Sequence, residues 1–321
     1  MIQGRIDPHV HCRDGRQSYK STIERIFQIA DEQEVWMIFD MPNTNPPITT
    51  RGDVKERLKL VPPSCKDRYR LYVGITSDSE QIVEAVKCHQ EFEEVIGLKM
   101  FAGSSVGNLL VAFRRGQRMV YKTLSDLGYE GVLATHCVKE SFLRTALWDP
   151  SNPITHCLAR PEEAEIKSVQ DQIRLAREEK FKGTVHICHI TCMYSIDAVI
   201  CAKEAIRITC GVTPHHIMWD NSKMNGEGGL IFKMNPPLRR HSTVISLRHS
   251  LINGCIDWIE TDHAPHAVDE KLFPPYLSGF PSLALYRYFV EEWLSRYGLS
   301  QSRIDELTRT NIIRTFSDKL T

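Results

Sequence analysis

The sequence lacks any run approaching the roughly 18 consecutive apolar residues that a membrane-spanning helix needs. Its first residues, MIQGRIDPHV, contain no hydrophobic core of a secretion signal. Neither sign of charge is in excess, because 40 Lys and Arg residues balance 40 Asp and Glu residues. This balance gives no reason to expect a nucleic-acid or anionic-membrane partner. We therefore expect a cytoplasmic protein that binds neither nucleic acid nor membrane.

The ten cysteines contain no CxxC pair, so the usual spacing of zinc knuckles and dithiol redox sites is missing. Most of them lie in apolar runs such as VHICH and RITCG. In a long chain with no export signal, this pattern favours free buried thiols over a disulfide framework.

What the sequence does contain is eight short apolar runs, most of them separated by helix-like stretches such as 21–33, 79–92 and 161–180. The runs are 5–11, 35–41, 69–75, 96–101, 131–136, 184–189, 205–212 and 255–261. Apolar strands that alternate with helices are typical of parallel βα units. Eight units predict an α/β fold, a closed (β/α)8 TIM barrel, forming one catalytic domain over residues 1–321. An open doubly wound sheet would need a glycine-rich phosphate turn after an early strand, and none is present.

Potential ligands lie at the ends of five of these runs, where a barrel places functional side chains. They are His9, His11, Lys99, His136, His189 and Asp262. His9 and His11 are two residues apart, so both face the same side of a strand. Imidazole and carboxylate groups are good ligands for zinc. Each histidine alone could be a hydrogen-bonded core residue, but the four histidines and the aspartate together predict a metal site.

Lys99 differs from the other five residues because an ammonium group has no lone pair for a metal. Carbamylation by carbon dioxide would convert the amine into an anion with two oxygens that can bridge two metals. The alternative is an unmodified lysine that reaches the barrel rim or pairs with an acid.

The ordered motifs HVH followed by Arg13, MPNT, GLKMF, THC, HICH, TPHH, KMNPPLR and TDHAPH resemble those of the dihydroorotases. These enzymes are amidohydrolases that act on a cyclic amide. The resemblance extends from about residue 5 to about residue 285. It implies reversible cyclisation of N-carbamoyl-L-aspartate to L-dihydroorotate in pyrimidine biosynthesis. The chemistry would use a binuclear centre, most simply of Zn²⁺, with a bridging hydroxide.

The same resemblance implies a role for each candidate residue. His9 and His11 would hold the more buried metal, His136 and His189 the more exposed one, and the carbamate of Lys99 would bridge them. Asp262 would complete the buried site and move the proton. The substrate-binding residues would be Arg13, Asn43, Asn235 and His266, with Ser104 and Ser105 on a loop that closes over the substrate.

Local alternatives exist for several of these residues. Arg13 could be a surface arginine, Asn43 could only shape the turn in MPNTNPP, and Asp262 or His266 could cap a helix. The remaining histidines divide into two groups. We expect core positions for His186, His215, His216 and His263, and solvated positions for His89, His156, His241 and His249.

Two rival functions share this metal-ligand set. A hydantoinase or allantoinase would use the same metal residues, but Arg13 and Asn43 favour a substrate with a carboxylate. An inactive scaffold typically loses ligands, and all six are present here. The chain departs from many relatives because it begins almost at its first strand, so we expect a barrel without the β-sandwich that longer relatives build from both chain ends. We expect a homodimer, the commonest oligomer.

Overall fold

Eight parallel strands, hydrogen-bonded in the order in which they occur in the chain, form the centre of the protein. The computed structural model describes residues 2, 4–104, 109–226 and 228–320. The strands are β1 (Arg5–Val10), β2 (Val35–Asp40), β3 (Tyr69–Gly74), β4 (Val95–Phe101), β5 (Val132–His136), β6 (Thr184–Ile187), β7 (Ile208–Val212) and β8 (Trp258–Ile259). Each lies within one residue of, or inside, an apolar run of the sequence, so the predicted (β/α)8 barrel is confirmed.

Helices follow the strands and surround the barrel. The α-helices are α1 (Ile23–Glu32), α2 (Arg51–Lys59), α3 (Ser79–Glu91), α4 (Arg114–Asp126), α5 (Thr155–Ala159), α6 (Glu162–Glu178), α7 (Met193–Ala202), α8 (Pro214–Met218), α9 (His241–Ile252), α10 (Val268–Leu272), α11 (Leu294–Arg296), α12 (Gln301–Asp305) and α13 (Asn311–Thr315). The three helices predicted from periodicity are α1, α3 and α6. In α1, Thr22 accepts a hydrogen bond from the Arg25 amide, and Ile23, Ile26 and Phe27 are buried against the sheet.

Alternation along each strand divides the core into two layers. In β2, Met37 and Phe39 point into the barrel, whereas Ile38 packs against the surrounding helices. In β1, Val10 belongs to the outer layer, which leaves the flanking histidines His9 and His11 on the interior face. The same periodicity that builds the hydrophobic core therefore directs the polar residues near the strand ends into the barrel.

The barrel closes where the chain beyond β8 returns to β1. Val10 and His263 form a parallel bridge, and the His11 amide donates to the His263 carbonyl at 2.8 Å. At the opposite end of the barrel, Phe316 packs edge-on against Phe39, with ring centroids 5.2 Å apart. The barrel therefore has a packed floor at the end opposite the site.

Two further expectations can be checked against the fold. All ten cysteines are free thiols, and seven of them are buried. Among the described residues, no helix combines the length and the apolar character required to cross a membrane.

Candidate metal and substrate site

His9, His11 and Asp262 meet at the mouth of the barrel. Asp262 Oδ1 lies 3.3 Å from His9 Nε2 and 2.9 Å from His11 Nε2. The Asp262 side chain is 12% exposed, and both histidines are buried. The three ligand atoms lie within 4.8 Å of one another, close enough to bind one ion. The structure thus brings together three residues of the predicted ligand set that are far apart in sequence, His9 and His11 near the start and Asp262.

His136 and His189 form a second pair beside the first group. His136 Nδ1 lies 3.1 Å from His189 Nε2. The His9 and His189 ring centroids are 5.3 Å apart, so the two groups are in contact. Burial, together with the positive charge of Lys99, lowers the pKa of His136 to about 3. Burial also lowers the pKa of His189 well below its usual value. Both rings are therefore neutral at pH 7 and carry lone pairs.

The protein groups present fit a divalent metal. His9 Nδ1, His136 Nε2 and His189 Nδ1 are buried nitrogens without a hydrogen-bond partner among the described residues. A buried polar atom without a hydrogen-bond partner destabilises the folded protein. Binding a metal through one of the ring nitrogens is one way to compensate for this. Burial lowers the pKa of His11 to about 4, so this ring is also neutral. The neutral imidazoles of His11, His136 and His189, with the Asp262 carboxylate, are a donor set that suits zinc and similar ions.

Lys99 lies inside the barrel and is fully buried. Its ammonium donates to Cys188 Sγ at 2.9 Å and lies 5.2 Å from the centre of the Phe101 ring. Together with burial, its positive charge lowers the pKa of His136. At His9, burial and the same charge are outweighed by groups that include the Asp262 carboxylate, so the pKa of that ring is raised. A cation among potential metal ligands would repel a metal, so Lys99 fits a metal centre only after its charge is changed.

Arg13 and His266 lie on the two loops beside this group. Arg13 Nε donates to the Pro265 carbonyl at 3.1 Å, and Arg13 Nη2 lies 3.3 Å from His266 Nε2. Arg13 is only 2% exposed, so burial lowers its pKa to about 10, and the guanidinium remains charged at pH 7. A buried guanidinium next to an imidazole is well suited to bind a carboxylate.

The other proposed substrate residues have different surroundings. Asn43 Oδ1 accepts from His11 Nδ1 at 2.8 Å, which directs His11 Nε2 towards Asp262. Asn235 Oδ1 contacts His156 Nε2 at 3.1 Å. Ser104 donates to Glu140 through both its amide and its hydroxyl. Ser105 lies outside the described residues.

Glu260 is a site residue that the sequence interpretation missed. Its carboxylate is fully buried, accepts from His186 Nε2 at 2.9 Å and from Trp258 Nε1 at 3.0 Å, and lies 3.6 Å from His9 Nδ1. A signal for it existed in the sequence, because residue 260 is two positions from Asp262 and shares its face in an extended strand. A carboxylate behind a ligating histidine orients the ring.

The expectations for the remaining histidines are partly wrong. His89 and His156 are buried, not solvated: His89 packs edge-on against Tyr129, and His156 contacts the Met234 carbonyl at 2.9 Å. Their helical or loop sequence context gave no sign of these tertiary contacts. His241 and His249 are exposed as predicted, and His186, His215, His216 and His263 are buried as predicted.

Solved structures with a similar fold include hydantoinases and dihydropyrimidinases. L-Hydantoinase (dihydropyrimidinase) from Arthrobacter aurescens superposes with a TM-score of 0.84 at 20% identity, covering 98% of this chain and 71% of that one. Dihydropyrimidinase from Brevibacillus agri gives a TM-score of 0.81 at 19% identity, covering 98% and 70%. At this level of identity, the comparison establishes the barrel fold.

Sequence relatives define the family more closely. No protein-family model matches the chain. A dihydroorotase from Listeria monocytogenes serotype 4b is 30% identical over 318 residues, which cover 91% of this chain and 69% of the relative. A dihydroorotase from Methanosphaera stadtmanae is 28% identical over 326 residues, covering 99% and 71%. With relatives of this name along most of its length and the ligand set assembled at the barrel mouth, the chain belongs to the dihydroorotase family.

Proposed function

We propose that the protein catalyses the reversible cyclisation of N-carbamoyl-L-aspartate to L-dihydroorotate, a step of de novo pyrimidine synthesis. The observation that carries this proposal is the arrangement of the site. His9, His11 and Asp262 converge at 2.9–3.3 Å, and a buried guanidinium, Arg13, follows His11 by two residues. Such a site combines metal ligands with a group that binds a carboxylate.

We assign the metal-binding role to the six residues predicted from the sequence. His9, His11 and Asp262 would hold one divalent ion, and His136 and His189 the other. A carbamate on Lys99 would bridge them and remove the positive charge that the unmodified amine brings to the site. Zn²⁺ suits these ligands best. When bound, the metals supply a water of lowered pKa and polarise the ring amide carbonyl.

Asp262 is the proton carrier in this proposal. In ring opening, its carboxylate accepts the proton of the attacking water and delivers it to the leaving ring nitrogen. In ring closure, the same group takes the proton from the ureido nitrogen and returns it to the departing water. His11 Nε2 lies 2.9 Å from Asp262 Oδ1, so both atoms are placed to bind the same ion.

Arg13, Asn43 and Asn235 bind the substrate in this proposal, and His266 helps through its contact with Arg13. The fork of Arg13 grips the carboxylate, and His266 lies against the same guanidinium at 3.3 Å. Asn43 has a second task, because it holds the His11 ring. Ser104 would contribute to a loop that covers the bound substrate.

The test is turnover of L-dihydroorotate by zinc-loaded protein, followed as loss of its ultraviolet absorbance, beside hydantoin and allantoin as substrates that lack the carboxylate. We expect turnover of dihydroorotate alone. A preference for hydantoin or allantoin would overturn the substrate and the role of Arg13. No turnover of any of the three, together with no bound metal, would indicate an inactive scaffold.

A further inference from the structure

We propose that Lys20 is a positioning residue for substrate binding: its ammonium fixes the tautomer of His266 and thereby keeps Arg13 Nη2 available for the substrate carboxylate. This inference rests on the proposed function for the identity of the substrate. It concerns a residue outside the predicted site, on the loop between β1 and α1.

Lys20 connects the two loops that carry the carboxylate-binding residues. Its Nζ lies 3.1 Å from His266 Nδ1 and 3.0 Å from Glu270 Oε1, both on the loop region after β8. The Lys20 side chain is only 4% exposed, and Tyr19 OH donates to the same Glu270 oxygen at 2.8 Å. A buried ammonium with two close partners holds a defined position, unlike an exposed lysine.

The hydrogen-bond donors and acceptors around His266 determine which of its ring nitrogens carries the proton. An ammonium only donates, so His266 Nδ1 must accept and carries no proton. The ring proton then lies on Nε2, which donates to the Ser278 carbonyl at 3.1 Å. Arg13 Nη2, 3.3 Å from the same Nε2, faces a donor and cannot bond to it. Its hydrogens are therefore left for a ligand with acceptor oxygens.

Without the ammonium of Lys20, the other tautomer becomes available to the ring, at the cost of the hydrogen bond to the Ser278 carbonyl. Glu270 Oε2 lies 3.8 Å from His266 Nδ1, so a small movement would let a protonated Nδ1 donate to this carboxylate. His266 Nε2 would then carry a lone pair and accept from Arg13 Nη2. In that state, the guanidinium is engaged by the protein and competes with the substrate. Burial, with the charges of Arg13 and Lys20, lowers the pKa of His266 to about 2, so the native ring is neutral.

The experiment compares the wild type with Lys20→Met, which keeps the aliphatic stem but has no ammonium, and Lys20→Arg, which keeps a donor. Protein labelled with ¹⁵N-histidine reports the tautomer by NMR, with the His266 signals assigned by their loss in His266→Gln. We expect the Nε2–H form in the wild type and in Lys20→Arg, and a shift towards the Nδ1–H form in Lys20→Met.

Steady-state kinetics give the second readout. In Lys20→Met, we expect KM for L-dihydroorotate to rise about tenfold, the scale of one hydrogen bond to a charged group, and kcat to fall much less. Lys20→Arg should recover most of this loss. Lys59→Met is the matched control, because Lys59 forms only an exposed pair with Glu56 and should behave as the wild type.

Two results would overturn the inference: an Nδ1–H tautomer in the wild type, or an unchanged tautomer and KM in Lys20→Met. The wild-type spectrum tests the inference even if Lys20→Met does not fold. The NMR measurement of the tautomer does not require turnover. A failure of this inference can therefore be distinguished from a failure of the proposed function. A wild type inactive on dihydroorotate with the expected tautomer change would leave the role of Lys20 intact and overturn only the substrate.

Discussion

At the scale of single residues, Asp262 has the most direct role in the proposed reaction, because it moves the proton. Replacing it by asparagine keeps the size and a hydrogen-bonding oxygen but removes the base. We expect Asp262→Asn to lose turnover of L-dihydroorotate by about 100-fold or more, the usual contribution of general acid–base catalysis. Its thermal unfolding temperature should stay near that of the metal-free wild type. Activity within a few-fold of wild type would show that another group moves the proton.

Lys99 gives a second prediction about a single residue. If the amine is a carbamate in the active protein, its loss removes an anionic ligand, and Lys99→Met should bind less metal than the wild type. The metal content of the dialysed protein measures this loss, and Lys167→Met, at an exposed lysine, is the control. Intact mass under native conditions should also show the gain of one carbon dioxide. Full metal content in Lys99→Met would argue against a ligand role.

Backbone conformation adds support, since three of the seven non-glycine residues with positive φ in the described part of the chain are candidate site residues. Arg13, His189 and Asp262 have φ values of 62°, 38° and 47°. Non-glycine residues in this left-handed region are strained, and such strain concentrates at functional sites. Sequence alone could identify these three residues because their types suit metal or carboxylate binding. It could not reveal Lys20, since its importance depends on two partners about 250 positions away in the chain.

At the scale of elements, a buried network holds Arg13 in its strained conformation. Arg57 of α2 donates to Asp40 of β2 at 2.6 Å and to the Arg13 carbonyl at 2.6 Å. Asp40 has no exposed surface, so removing the arginine would leave a buried charge without its counterion. The network therefore links the packing of a helix on the sheet to the geometry of the substrate site.

We expect Arg57→Met to lower the free energy of unfolding by about 3–5 kcal/mol, the usual cost of breaking one side of a buried ion pair. Equilibrium urea unfolding of the metal-free protein measures this change. Arg296→Met, which breaks an exposed pair with Glu292, should cost less than about 1 kcal/mol. Equal stability of both variants would mean that Asp40 is satisfied without Arg57.

The loop region after β8 should respond to pH through Lys271. This buried amine donates to the carbonyls of Lys233 and Gly279, and burial with the nearby charge of Lys233 lowers its pKa to about 7. In the unfolded chain its pKa is near 10.5. Between these values the unfolded state binds the extra proton, so the contribution of Lys271 to stability grows as pH rises.

The prediction concerns the difference in unfolding free energy between the wild type and Lys271→Met. From pH 7 to pH 9.5, the unfolding free energy of the wild type relative to Lys271→Met should increase by up to about 3 kcal/mol. Urea unfolding at both pH values gives this difference, and methionine keeps the aliphatic stem without a titrating group. A difference that does not change with pH would mean that Lys271 stays charged in the folded protein.

The strands and three of the helices were predictable, because each strand is a separate apolar run and α1, α3 and α6 have an apolar face. The position of the C-terminal segment was not predictable from the sequence. Phe316 packs under the barrel against Phe39 and Trp258, and nothing in the local sequence indicates this contact. The buried positions of His89 and His156 were missed for the same reason, since tertiary partners decide them.

At the scale of the whole molecule, the candidate ligands come from strands that are distant in sequence. His9 lies in β1 and His11 just after it. His136 is the last residue of β5, and His189 and Asp262 follow β6 and β8. A metal that binds them therefore ties together parts of the chain that the unfolded state keeps apart. Metal binding and folding are coupled in such a case, because the unfolded chain has no preformed site.

Metal removal should then lower the thermal stability of the whole barrel. Protein treated with a chelator should unfold at a lower temperature, and returning the metal should restore the transition. A ligand at about 100 times its Kd adds about 2.7 kcal/mol of stability. Zinc also binds the ten cysteines once the chain unfolds, which reduces the shift, so Mn²⁺, with its lower preference for thiols, is the matched comparison. His136→Ala should show a smaller shift. Identical transitions with and without metal would contradict a site built from these strands.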